Sequence, residues 1–242
     1  MALKKSKKAA YEDIRKAYRK LKKAYRAMKD SHVEMIFRMA LLTEFRDPNT
    51  GRHLVRIADY SGVIADAMGL SKNDIDMIRL ASPMHDIGKV MLSDSILKKK
   101  GKLTPAERAL MKKHPEVGAE IFKSAHTPIM KACGVIALTH HERFDGEGYP
   151  QGLKGTKIPL YGRIAALADC FDALTSKRPY KRVFGFEESV DEVMGESGTH
   201  FDPVVVDAFC KAKSKIKGIW KANKDIELFL GDMGLIEEAF LT

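Results

Sequence analysis

The sequence predicts an all-α protein, a helical bundle with a long N-terminal helix of coiled-coil type, and three observations predict it. Apolar residues recur at helical spacing along most of the chain, and no stretch reads as a strand. Proline and glycine gather at a few points, chiefly 48–51 and 146–159, so that one helix follows another across breaks. Residues 11–42 carry apolar side chains in steps of three and four, the spacing of a coiled-coil seam.

Composition sets the outer limits. The 242 residues are 45% hydrophobic and 31% charged, which suits one large or two small soluble domains. No run of 18 apolar residues exists, and the first residues lack the apolar core of a signal peptide. Neither a membrane span nor secretion is expected, and the expected compartment is the cytoplasm. Cys133, Cys170 and Cys210 are odd in number and lack paired metal-ligand spacing, so they read as reduced core fillers. Of the net charge of +10, +9 lies in residues 1–30, where twelve Lys or Arg face only Glu12, Asp13 and Asp30. Such a balance raises nucleic-acid binding as a hypothesis. Here it describes one segment rather than a globular face, so nucleic acid is not an expected partner.

The first helix has its seam at Tyr11, Ile14, Tyr18, Leu21, Tyr25, Met28, His32, Met35, Met39 and Leu42, more than four heptads. Homodimerisation is its expected role, with an amphipathic membrane-surface helix and a solvated basic arm as alternatives. Pro48 and Gly51 break the helix. The chain thus divides into a basic helix over 1–46, a main domain over 47–210 and a C-terminal helical extension over 211–242. In the main domain a helix over 52–68 carries His53 in its first turn and stops at Gly69. The next starts near Asn73 and is expected to deliver His85-Asp86 at its end, with Gly88 as the cap. Thr104-Pro105-Ala106-Glu107 is a well-formed helix start that leads to His114. Pro115 opens another helix, and Pro128 opens one that ends at the pair His140-His141. Residues 142–159 hold too many breakers for helix or strand, and long loops of this kind are more often functional than accidental. A helix over 160–175 then places Asp169 amid apolar positions, where a carboxylate is expensive unless paired or metal-bound. Further helices are expected over 186–196 and 203–216.

His53, His85, Asp86, His114, His140, His141 and Asp169 therefore fall at successive helix junctions. Imidazoles with carboxylates suit divalent transition metals. Five histidines and two carboxylates suffice for two metals with one bridging carboxylate, and they leave positions open for water or substrate. That is what metal-assisted phosphoester hydrolysis needs. His126 and His200 lie outside this set and read as surface residues.

Several blocks in order carry a resemblance: His85-Asp86-Ile87-Gly88-Lys89, Gly101-Lys102-Leu103-Thr104, His140-His141-Glu142-Arg143-Phe144-Asp145-Gly146-Glu147-Gly148-Tyr149-Pro150, Ile158-Pro159 with Arg163, Ala168-Asp169-Cys170-Phe171-Asp172-Ala173-Leu174-Thr175, and Arg178-Pro179-Tyr180-Lys181. Across residues 47–209 the chain resembles the HD-GYP family of the HD phosphohydrolase superfamily. The resemblance implies an HD-domain helical bundle that acts as a cyclic di-GMP phosphodiesterase, giving linear pGpG and, where the pocket accepts a free 5′-phosphate, GMP. It implies two divalent metals, iron first, with manganese or another transition metal as alternatives. His53, His85, Asp86 and Asp169 would hold one, Asp86, His114, His140 and His141 the other, and a hydroxide between the two would attack phosphorus. Lys89 would contact the scissile phosphate and share the catalytic role with Asp86. Tyr149, Arg178 and Lys181 would hold the phosphates or bases of the ligand, and Arg143 would order the loop or touch the ligand. A third metal in some members uses a Glu where this chain has Asn49, so two metals are expected. Two other readings stay open: a cyclic di-GMP receptor or scaffold that turns over little and passes a signal to a partner protein, and an HD hydrolase of another nucleotide.

Overall fold

The structure, a computed structural model, describes residues 2–44, 51–176 and 184–222, and among them it is helical with no strand. Helix α1 (Ala2–Glu44) is unbroken. Val33, Ile36, Phe37 and Ala40 bury one side of its last quarter in the main core. The core therefore begins inside the first helix, upstream of the break at 48–51. Val33, Ile36 and Ala40 sit one position beyond His32, Met35 and Met39 of the seam. Seam residues Tyr11, Ile14, Tyr18, Leu21, Tyr25, Met28, Met35 and Leu42 are 51–69% exposed.

Helix α2 (Gly51–Ala67) is the centre of the bundle. Leu54, Ile57, Ala58, Tyr60, Ile64 and Ala65 are buried around most of its circumference, as a core helix requires. It packs on α3 (Lys72–Ala81), α8 (Leu160–Thr175), α10 (Pro203–Lys211) and α11 (Lys213–Ala222). Phe171 of α8 is the hub of that packing. Its ring meets Tyr60 at 5.4 Å, Phe209 at 5.1 Å and Phe186 of α9 (Phe186–Gly195) at 5.7 Å, each edge to face. Phe186 in turn meets Trp220 of α11 at 5.5 Å. The start of the C-terminal extension is thus part of the core. The helix expected over 203–216 is in fact two, because the chain leaves helical geometry at Ala212.

The remaining helices carry the signals that the sequence gives them. A short α4 (Asp94–Leu97) precedes α5 (Pro105–Met111), which starts with the expected capping box of Thr104 and Glu107. Next come α6 (His114–Ile121) and α7 (Pro128–Thr139), the latter capped by Thr127. None of the described helices is long and apolar enough to cross a membrane.

The structure also corrects the expected end of the helix that starts near Asn73. Helix α3 stops at Ala81, and two 3₁₀ turns, Ser82–Met84 and Ile87–Met91, flank His85-Asp86. Pro83 explains the stop, since it offers no N–H to the helix ladder. Gly88 is consequently not a helix cap. A Cβ at that position would run into the backbone carbonyl of His114, so glycine lets the Asp86 turn lie directly on the start of α6. Gly162 does the same service for α8. A Cβ there would strike the Thr139 hydroxyl, so glycine lets α8, which carries Asp169, lie close against the end of α7.

Candidate metal centre

Two clusters of ligand-type side chains face each other at the junction of these helices. Asp86, His114, His140 and His141 form one, and His53, His85 and Asp169 the other; within each, the ligand atoms lie within 4.8 Å of one another. Asp86 links them. Its Oδ1 lies 3.2 Å from His114 Nε2 and 3.7 Å from His140 Nε2, while its Oδ2 lies 3.3 Å from His85 Nε2. His53 Nε2 and His85 Nε2 are each 3.8 Å from Asp169 Oδ1. All seven ligand candidates are therefore brought together.

Backbone geometry decides which ring nitrogen faces inward. His85 Nδ1 donates to the Ser82 carbonyl at 2.9 Å, His114 Nδ1 to that of Met111 at 2.8 Å, and His140 Nδ1 to that of Ala137 at 2.9 Å. His53 Nδ1 instead donates to Asp172 Oδ2 at 2.7 Å. In a neutral imidazole this leaves the lone pair on Nε2, pointing into the site. His114 Nε2 and His140 Nε2 then meet at 3.2 Å with no proton for a bond between them. Asp86 Oδ1 is buried beside them and has no hydrogen-bond partner. Lone pairs converging on one buried spot fit a cation and little else. This is the observation that tests the donor set, and it fits a metal.

Charge distribution agrees. Burial lowers the pKa of His140, and burial with His140 and His114 nearby lowers that of His141, so both rings stay neutral and ligand-ready. Burial opposes ionisation of Asp86, but the ammonium of Lys89 outweighs it and holds the carboxyl well below the usual range. Lys89 Nζ lies 2.7 Å from Asp86 Oδ2, at the open side of the cluster.

Sequence reasoning missed the layer behind the ligands. Asp172 is fully buried and takes the Nδ1 proton of His53, and Arg56 grips the same carboxylate, with Nη2 2.9 Å from Oδ2. Burial works against charge on Asp172, yet the bonds from His53 and Arg56 lower its pKa. Glu142 is the second missed group. Buried at the start of the 142–159 loop, it accepts from Gln151 N at 2.7 Å and Leu153 N at 2.9 Å, which folds the loop back over the site. Tyr149 is held there by its N–H on the His141 carbonyl at 3.1 Å and by its ring, stacked on His141 at 4.7 Å. Lys112 Nζ lies over the same ring at 4.8 Å. Arg143 turns towards the loop, with Nη2 2.9 Å from Asp145 and 3.5 Å from Glu196. His200 is half-buried, not a surface residue as read from the sequence, because its carbonyl accepts the Phe144 N–H that anchors this loop. Arg178, Lys181 and Asn49 lie outside the described residues.

A family profile described as HD domain matches residues 38–205. The chain belongs to this family, in its HD-GYP branch. The HD-GYP domain here is 44% identical over 192 residues to a cyclic di-GMP phosphodiesterase of Thermotoga maritima, an alignment that covers 79% of this chain and 52% of that protein. It is 45% identical over 174 residues to 3'3'-cGAMP-specific phosphodiesterase 2 of Vibrio cholerae, covering 72% and 33% respectively. The chain spans about half the length, or less, of these curated relatives. Among solved structures it superposes on a cyclic GMP-AMP specific phosphodiesterase of V. cholerae with a TM-score of 0.60 at 20% identity, over 86% of this chain and 54% of that one. That likeness concerns the fold.

The layer behind the ligands gives a direct test. Asp172→Asn in this HD-GYP domain should keep the shape but present an amide where His53 needs an acceptor of full charge. Metal affinity is expected to fall about 10- to 100-fold, measured by competition with a chromophoric chelator.

Proposed function

We propose that the chain is a metal-dependent phosphodiesterase that hydrolyses cyclic di-GMP to pGpG. The observation that carries this reading is the seven-ligand cluster centred on Asp86, whose Nε2 lone pairs converge while Lys89 stands at its open side. His53, His85, Asp86 and Asp169 would hold one divalent ion and Asp86, His114, His140 and His141 a second, with iron expected before manganese. Such ions polarise phosphoryl oxygens and bring the pKa of a bound water towards neutrality. The residues supply the rest. Lys89 offsets charge that develops on phosphorus, and Glu142 holds Tyr149 over the site so that its phenol, kept protonated by burial, can donate to the ligand. Arg178 and Lys181 are proposed to bind phosphates or bases, and Arg143 to order the loop. A homodimer through α1 and a cytoplasmic location complete the reading, the first supported by the exposed seam.

A second substrate deserves the same assay, because the V. cholerae relative at 45% identity is named for 3'3'-cGAMP. The test is anaerobic turnover of both cyclic dinucleotides by protein loaded with Fe(II) or Mn(II), with metal counting on the same sample. Cleavage of cyclic di-GMP at about two metals per chain is the expected result. Faster cleavage of 3'3'-cGAMP would transfer the assignment to that substrate. Tight binding without cleavage at full metal occupancy would make the chain a receptor.

A further inference from the structure

Lys112 is an exposed lysine beside the metal centre that none of the roles assigned above employs. It caps α5, its N–H bonded to the Arg108 carbonyl at 3.0 Å, and it lies between Met111, whose carbonyl orients His114, and His114 itself. A lysine at such a position ordinarily serves the last carbonyls of its own helix. Its Nζ instead lies over the ring of Tyr149, in the loop that follows α7, at 4.8 Å, and no carboxylate among the described residues pairs with it. We propose that Lys112 binds the phosphate of the cyclic dinucleotide that is not being cleaved. The proposal rests on the phosphodiesterase reading and deepens it, and it is independent of the bases that the ligand carries.

A cyclic dinucleotide carries two phosphodiester charges, and the metals with Lys89 take one of them. The other must give up water near Asp86 and Asp169, which costs free energy unless a second cation meets it. Arg143 is already engaged, with Nη2 2.9 Å from Asp145 and 3.5 Å from Glu196. Arg56 is committed to Asp172 behind the ligands. Lys112 is held only by a cation–π contact at an exposed site, which is worth less than a charged hydrogen bond to phosphate. Exchanging the ring for a phosphate is therefore favourable. Its placement suits the task, because the ring of Tyr149 that carries the ammonium is itself stacked on the ligand His141 at 4.7 Å. The two lysines thus have different supports, Lys89 the bridging carboxylate and Lys112 the loop over the site. The main chain of Lys112 is fixed by α5, while its flexible stem leaves a compact head with three donors free to turn to a phosphate. Arg178 and Lys181 on this assignment serve the bases.

Steady-state kinetics on the full, metal-loaded chain test this, with cyclic di-GMP and 3'3'-cGAMP as the two ligands. Lys112→Met replaces an exposed charge with an uncharged chain of similar length, and melting and metal counts on the same samples verify that fold and metals are kept. In this variant kcat/KM for cyclic di-GMP should fall about 10- to 100-fold, with the loss in KM rather than in kcat. The fall should have the same size for 3'3'-cGAMP, as substrate or as competitive inhibitor, because a phosphate contact ignores the base. Lys112→Arg should recover most of the loss, since it restores the charge. Lys112→Met should also keep its effect in a Tyr149→Leu background. An effect that disappears in that background would make Lys112 a support for Tyr149 and overturn the proposal. An unchanged KM, or an effect confined to one of the two dinucleotides, would overturn it as well. A wild-type chain that binds both ligands without cleaving them would overturn the hydrolase reading instead, and the same ratios taken as dissociation constants would then decide the role of Lys112. Absence of any binding would overturn both.

Discussion

Asp86→Asn should leave the purified chain with less than one metal per molecule and lower cyclic di-GMP turnover by at least about a thousandfold. Asp86 is the only described residue whose two carboxylate oxygens reach both clusters, Oδ1 towards His114 and His140 and Oδ2 towards His85. An asparagine keeps the shape, but it offers one neutral oxygen and turns an N–H donor towards lone pairs that need a cation. Five imidazoles and Asp169 would remain, too little negative charge for a pair of divalent ions in a buried site. Stability should fall in the absence of metal as well. The ammonium of Lys89 outweighs the desolvation of Asp86 in the folded chain, and the neutral amide gives up that ion pair, so the metal-free variant should melt below the metal-free parent. The rise in Tm that metal gives the parent should vanish. Plasma emission for metal content and melting with and without chelator check both halves. Full metal loading of Asp86→Asn would remove Asp86 from the bridging position.

Much of this site is legible in the sequence because most of its histidines lie on or beside helices whose ends carry boundary signals. Pro128 opens the helix that delivers His140-His141, Thr104 and Pro105 open the one that leads to His114, and Gly69 closes the one that carries His53. What escapes is whatever depends on residues far apart in the chain. Asp172 reads as one more polar position of α8 until His53 and Arg56, 119 and 116 residues away, are seen on it. A signal did exist: Asp172 follows Asp169 by three residues and therefore shares its helix face. Glu142 escapes for the same reason, since its partners are backbone N–H groups of a loop whose path is not encoded locally. The end of α3 was misplaced because its apolar spacing runs on past Pro83, and the ring of that proline outweighs the spacing. In α1 the seam side chains form an exposed stripe. Its buried neighbour stripe at Val33, Ile36, Phe37 and Ala40 has the same period, displaced by one residue, so spacing alone did not reveal that the helix serves two surfaces.

Lys89→Ala is expected to separate chemistry from metal binding. Lys89 Nζ stands 2.7 Å from Asp86 Oδ2 with its side chain 16% exposed, so it is close to the ligands and still open to a substrate phosphate. If its charge serves the transition state, removing it should lower kcat by about 100- to 1000-fold, the range for loss of one preorganised donor at a developing oxyanion. Metal content should not fall. With the ammonium gone, Asp86 Oδ2 loses a competing cation, and its attraction for a divalent ion rises rather than drops. The two effects therefore have opposite signs, which makes the variant informative where most active-site substitutions are not. Lys89→Arg restores charge with a planar, bulkier head, and it should recover part of kcat at unchanged metal content. Single-turnover rates and metal counts on the same preparations provide the comparison. Parallel loss of metal and turnover in Lys89→Ala would assign Lys89 to holding Asp86 in place.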